Sequence, residues 1–190
     1  MGKNFSTNNI NNKRKKSDFY ETPYSITRHL LDNEYFDYRK TILEPATGYG
    51  AISSILSQKW NKSLITEYDI EKNFFTETNT YDYIITNPPF SLANEFILKA
   101  KKIAKIKFAF LLPLSYLHGK HRYDNIYQDT EYGLKWVHVF TRYPLLGDPL
   151  REDGKYKTGM MVYAWYVFEN GYSDNPMISW IDNNEDIIRS

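Results

Sequence analysis

The sequence predicts an α/β domain with a mostly parallel central sheet and helices on both faces. Short apolar runs of strand length alternate with stretches of helical spacing from Thr41 to Leu112. Two strand-to-helix junctions carry chain-bending signatures, Gly48 with Gly50 and Pro88 with Pro89, at the kind of strand end where open parallel sheets put ligands. The length, 190 residues, is that of one domain able to bury a substantial core.

In chain order, residues 1–17 are rich in Asn and Lys and nearly devoid of apolar side chains. They bury too little to offset ordering entropy, so a disordered basic arm is expected there, with a single domain over residues 18–190. Thr22-Pro23 resembles a helix cap followed by proline at the first helical position, and Ile26, Leu30 and Leu31 follow at helical spacing, which predicts a helix from Pro23 to Asn33. Strands are then predicted at Thr41–Leu43, Leu64–Thr66, Tyr83–Thr86 and Phe108–Leu112, with helices at Ala51–Lys59 and Ala93–Ile103. Trp136–Phe140 and Met160–Phe168 are aromatic and β-branched, and are expected to pair as the last two strands. Between them, Thr141–Gly159 holds Pro144, Gly147, Pro149 and Gly154, too long and too punctuated for a simple turn, and a long loop in a compact domain is often functional.

Composition excludes several classes. There is no cysteine, hence no disulfide, thiolate metal site or cysteine nucleophile. The chain opens on polar residues rather than a signal-peptide core, and no apolar run approaches the roughly 20 residues that cross a bilayer, so a cytoplasmic protein without a membrane partner is expected. Net charge is only +1, but the basic clusters Lys13-Arg14-Lys15-Lys16 and Lys120-His121-Arg122 permit a nucleic-acid partner.

The sharpest chemical signal is Asn87-Pro88-Pro89-Phe90, directly after a strand and before a helix. Two prolines forbid ladder bonding and helix continuation, so they hold the backbone extended and present Asn87 and Phe90 to the crevice. An amide oxygen accepts from an amine and an aromatic ring stacks on a heterocycle; together they suit a planar base bearing an amino group.

The second signal is Glu44-Pro45-Ala46-Thr47-Gly48-Tyr49-Gly50. Its glycines let backbone approach a ligand without a Cβ in the way. The loop lacks the third glycine of the dinucleotide fingerprint and the Lys-Ser/Thr ending of a P-loop, and Glu44 would repel an anion, so a cationic sulfonium cofactor fits better than a nucleoside triphosphate. About 20 residues on, Glu67-Tyr68-Asp69 ends the next strand where a carboxylate usually grips ribose hydroxyls; either Asp69 or Glu67 fits that role.

The order Asp18-Phe19-Tyr20-Glu21-Thr22-Pro23, the glycine loop, the acidic strand end and Asn87–Phe90 resembles the DNA adenine-N6 amino-methyltransferases, small phage-type members most of all. Phe108–Tyr116, Arg122-Tyr123 and Tyr163–Phe168 are similar to the same pattern, so the resemblance runs from about Asp18 to Asp182. It implies a Rossmann-like class I methyltransferase fold with an antiparallel last strand, S-adenosylmethionine as cofactor and double-stranded DNA as partner. It further implies cofactor contacts from Tyr20, Thr22, Glu44, Ala46, Gly48, Asp69 and Asn87. An acidic residue followed by phenylalanine usually frames the cofactor's adenine in the family; the nearest match is Asn73-Phe74, with Asn in place of the acid.

The mechanism expected on this reading is positional. Adenine's amine is a poor nucleophile and a sulfonium methyl a strong electrophile, so alignment supplies most of the catalysis. Asn87 and the Pro88 carbonyl would accept from the amine while Phe90 stacks the base, and no general base is needed before attack. The base must first be extruded from the duplex. Lys120, Arg122, Arg142, Arg151, Lys155 and Lys157 are the expected phosphate contacts, and the length leaves no room for a separate large DNA-reading domain. His118 and His121 lack companion ligands, and no metal is expected. The alternatives are an enzyme methylating RNA adenine or a protein glutamine amide, and a non-catalytic nucleic-acid-binding relative.

Overall fold

The structure, a computed structural model, describes residues 22–69, 72–142 and 162–182. Seven strands form one sheet in the order β2-β1-β3-β4-β6-β5-β7. They are β1 (Ile42–Glu44), β2 (Ile65–Glu67), β3 (Tyr81–Thr86), β4 (Ala104–Pro113), β5 (Tyr132–Phe140), β6 (Tyr163–Asn170) and β7 (Met177–Ile181). The pairs β1–β2, β1–β3, β3–β4 and β5–β7 are parallel, and β6 runs antiparallel between β4 and β5. The antiparallel strand is thus the penultimate one of the described chain, because an unanticipated strand, β7, follows it at the sheet edge.

Helices α1 (Tyr24–Asn33) and α2 (Ala51–Leu56) cover one face, and α3 (Ala93–Ile103) covers the other. Alternation along the strands decides which side chain meets which layer. Tyr83, Ile85, Ala109, Leu111, Trp165 and Val167 pack with Ile26, Leu30, Ile52 and Ile55. Ile84, Phe108, Phe110, Leu112, Tyr166 and Phe168 pack with Phe96, Ile97 and Ala100. Strands buried on both faces read as continuous apolar runs, which is why Phe108–Leu112 stands out in the sequence. Trp165 and Tyr166 are fully buried, with the Trp165 indole N–H donating to the Ile26 carbonyl and the Tyr166 hydroxyl to the Pro113 carbonyl, both at 2.9 Å.

Several boundaries differ from the sequence reading for identifiable reasons. Pro23 is extended (φ −57°, ψ 138°) and caps α1 rather than starting it, leaving Thr22 one position outside the cap. Helix α2 ends at Leu56 instead of Lys59, closing in tighter turns, with the Gln58 N–H on the Ile55 carbonyl at 3.1 Å. Strand β4 begins four residues earlier than Phe108, since Lys107 is buried: its ammonium lies 2.5 Å from Glu34 and 3.2 Å from Glu169. Burial raises the Glu34 carboxyl, but bonds from His138 and Lys107 outweigh it and hold the group below its ordinary range. His138 also shares a 2.6 Å hydrogen bond with the Ser179 hydroxyl, tying β7 into the same cluster. No helix among the described residues is long and apolar enough to cross a membrane.

Gly133 on β5 is fixed by close approach. A Cβ built there would lie 2.3 Å from the Tyr172 carbonyl oxygen, a backbone atom with little freedom to move. Gly133→Ala is expected to destabilise the protein by about 2 kcal/mol or more, read as a drop in the thermal midpoint. An unchanged midpoint would show that the turn carrying Tyr172 yields freely.

Candidate active site

Strands β1, β2 and β3 lie side by side in parallel, with Glu44 opposite Glu67 and Leu43 opposite Ile84, so the loops after all three emerge along one edge. The loop after β1 turns through two left-handed glycines, Gly48 (φ 53°) and Gly50 (φ 83°), and Gly50 caps α2. It is stitched by the Gly50 N–H to the Thr47 carbonyl (2.8 Å) and the Thr47 N–H to the Tyr68 carbonyl (3.2 Å). A Cβ built on Gly50 meets nothing within 4 Å, so the positive φ, not crowding, requires glycine, and the space in front of it is open.

Three carboxylates face this loop. Glu44 is 1% exposed and accepts a hydrogen bond from the Ser53 hydroxyl, one turn into α2. Burial pushes its carboxyl up to about 8; the Ser53 hydroxyl opposes that, and the charges of Glu67 and Asp69 add to it. Asp69 is exposed and accepts from the Gly48 N–H at 3.4 Å. Glu67 is exposed in an open cleft of about 530 Å³ lined by Thr47, Gly48, Gly50, Ser53 and Lys62. An acid held protonated mainly by burial, with two further carboxylates on the adjoining strand end, describes a site that gains when a cation enters, and a sulfonium-bearing cofactor fits this donor set.

Asn87 directly follows β3. Its side-chain amide nitrogen donates to the Thr22 hydroxyl at 3.1 Å, and Thr22 is buried just ahead of α1. Pro88 is buried, and Phe90 is half-buried at the start of a 3₁₀ turn, Phe90–Leu92. The Phe90 ring centroid lies 5.7 Å from that of Tyr163 with the planes 32° apart. Both rings belong to the site edge, since Tyr163 opens β6 opposite Pro113.

The structure therefore brings Thr22, Glu44, Ala46, Gly48, Asp69, Asn87, Pro88 and Phe90 to adjoining strand ends. Phe74 stands apart from that expectation. It is 3% exposed, its ring lies 4.7 Å from Phe96, and it belongs to the core beneath α3. Phe75 beside it is the ring that reaches the surface. The Asn at position 73 has a local cause: its side chain caps the turn Phe74–Thr76 by accepting from the Phe75 N–H at 3.0 Å.

The basic residues diverge. Lys120 is exposed and pairs with Asp124 at 2.6 Å. Arg122 folds back over its own loop, with Nε donating to the His118 carbonyl at 2.9 Å and the guanidinium 4.7 Å from the Tyr116 ring centroid. Arg142 is exposed beyond β5. Tyr20, Arg151, Lys155 and Lys157 lie outside the described residues. His118 and His121 are exposed, and among the described residues no three His, Asp, Glu or Cys side chains gather as metal ligands.

Sequence reasoning missed Ser53. Ser53 follows Gly50 by three residues, a spacing that puts it on the first turn of α2 facing Glu44.

No protein-family model and no curated sequence matches the chain. Solved structures do. A chain assigned as the modification subunit of a type I restriction enzyme from Vibrio vulnificus YJ016 superposes with a TM-score of 0.60 at 12% identity, over 90% of this chain and 48% of that one. The M protein of the type I restriction enzyme EcoKI gives 0.59 at 11% identity, over 88% and 49%. A chain assigned as a class I S-adenosylmethionine-dependent methyltransferase from Listeria monocytogenes gives 0.51 at 10% identity, over 87% and 65%. This chain spans about half the length of the two restriction-enzyme subunits it matches. At these identities the likeness carries the architecture: the fold is the Rossmann-like fold of class I methyltransferases.

Proposed function

We propose that the protein is an S-adenosylmethionine-dependent methyltransferase acting on the N6 amine of adenine in double-stranded DNA. The observation that carries this reading is Asn87-Pro88-Pro89-Phe90 at the end of β3, beside a glycine loop ringed by Glu44, Glu67 and Asp69. The likeness of the fold to type I restriction M subunits supports DNA as the substrate class. Glu44, Ala46, Gly48 and Asp69 hold the cofactor in this reading, and S-adenosylmethionine supplies an electrophilic methyl when bound.

The rest is done by the chain. Thr22 engages the Asn87 amide nitrogen and so sets which end of that amide accepts. Asn87 Oδ1 and the Pro88 carbonyl accept from the amine, and Phe90 stacks the base with Tyr163 extending the aromatic wall. No side chain need remove a proton before attack; the amine sheds one to water afterwards. Lys120 and Arg142, both exposed, are proposed to contact phosphate together with Arg151, Lys155 and Lys157.

The test is transfer of labelled methyl from S-adenosylmethionine to unmethylated DNA, to RNA and to glutamine-containing protein, followed by product analysis. N6-methyladenine in DNA supports the reading. Label confined to RNA or protein reassigns the substrate, and cofactor binding with no transfer to any of them leaves a non-catalytic relative.

A further inference from the structure

Phe90 is held from a direction that the motif itself does not explain. Its carbonyl accepts two hydrogen bonds, one from the Ala93 N–H that closes the 3₁₀ turn and one from the Tyr116 hydroxyl, 26 residues further along the chain. A carbonyl oxygen has two lone pairs, so both are used and the peptide after Phe90 is locked against rotation. Tyr116 is itself braced. The Tyr127 hydroxyl donates to its carbonyl at 2.7 Å, and the Arg122 guanidinium covers its ring. Burial pushes the Tyr127 hydroxyl well above its ordinary pKa, so it stays a donor. Arg122 is in turn pinned to the His118 carbonyl, and a Cβ on Gly119 (φ 128°) would lie 3.0 Å from its Nη2, so the segment closes tightly on itself.

We infer that Tyr116 is a positioning residue, a strut that fixes the Phe90 backbone and with it the ring that stacks the substrate base. Tyr127 and Arg122 act behind it, and the segment from Leu114 to Tyr127 supports the catalytic loop. The inference rests on the proposed role of Phe90. Tyr116 makes its contact through the Phe90 carbonyl, so its loss acts on alignment and leaves the cofactor loop untouched.

Tyr116→Phe removes only the hydroxyl and keeps the ring under Arg122. Turnover at saturating cofactor and DNA is expected to fall at least about tenfold, because small misplacements of a stacked reactant are costly. The KM for S-adenosylmethionine should stay within about twofold of the wild type, since the cofactor loop is untouched. Tyr127→Phe should fall between, and Tyr35→Phe, a 76% exposed tyrosine two residues past the end of α1, should match the wild type. A second readout needs no substrate: 4-fluorophenylalanine at position 90 should give one narrow fluorine resonance in the wild type and a shifted or broadened one in Tyr116→Phe. A wild-type chain that methylates nothing overturns the proposed function and the Phe90 role with it. A wild-type chain that methylates DNA, with Tyr116→Phe equal to it in turnover or resonance, overturns the strut alone.

Discussion

Asn87→Ala is expected to lower methyl transfer by at least on the order of a hundredfold while leaving cofactor affinity within about threefold of the wild type. The amide does two things that alanine cannot. Its nitrogen is spent on the Thr22 hydroxyl, which fixes the orientation of the group between two buried elements, the start of α1 and the end of β3. Its oxygen is the accepting end of the amide, the end that would draw on an amine, and pre-set acceptors of this kind act mainly on the transition state. Cofactor affinity is expected to survive because the carboxylates proposed to face the cofactor's cation sit on β1 and β2 and their loops, where Glu44 accepts from Ser53 and Asp69 from the Gly48 N–H. The measurement is single-turnover transfer beside calorimetric binding of S-adenosylmethionine. A parallel loss of both would move Asn87 from catalysis to cofactor binding.

What the sequence made legible follows physical range. Helix α3 is read to the residue because its signal is local: five buried apolar positions at helical spacing between a proline loop and a strand. The glycine loop and Asn87–Phe90 are equally local, since each is a run of residues whose backbone restrictions act on themselves. Strand β7 is invisible for the opposite reason. Met177, Ile178 and Trp180 are all partly or largely exposed, so no alternation of buried and polar positions marks it, and its pairing with β5 spans some 40 positions. The start of β4 is masked by Lys105 and Lys107; a lysine reads as surface until Glu34 and Glu169 are folded against it. The site's second layer is likewise a product of folding. Thr22 meets Asn87 across 65 positions and Tyr116 meets Phe90 across 26.

Glu44 supplies the second large effect, and its sign is set by burial. Its carboxyl rises from the ordinary 4.5 of a free side chain to about 8 in the folded protein. The unfolded chain therefore releases this proton near 4.5 and the folded chain keeps it until about 8. Stability associated with Glu44 is full below 4.5 and is lost as pH climbs toward 8, at up to about 1.4 kcal/mol per pH unit. Glu44→Gln, neutral at every pH, should accordingly match the wild type in thermal midpoint near pH 4 and exceed it by a margin that grows from about pH 5 to about pH 8 and then levels off. Cofactor binding runs the other way. A bound cation favours the ionised carboxylate, so wild-type binding near pH 7 should release a proton, visible as a binding enthalpy that changes with the ionisation enthalpy of the buffer. Glu44→Gln should abolish that dependence and weaken S-adenosylmethionine binding by about tenfold or more, the equivalent of one buried charge interaction. The two effects are opposed by construction: burial, with a smaller contribution from the charges of Glu67 and Asp69, penalises the ionised carboxylate in the empty protein, and a bound cation would offset that penalty. A variant that gains stability without losing affinity would show that Glu44 braces the glycine loop through Ser53 and takes no part in recognising the cofactor's charge.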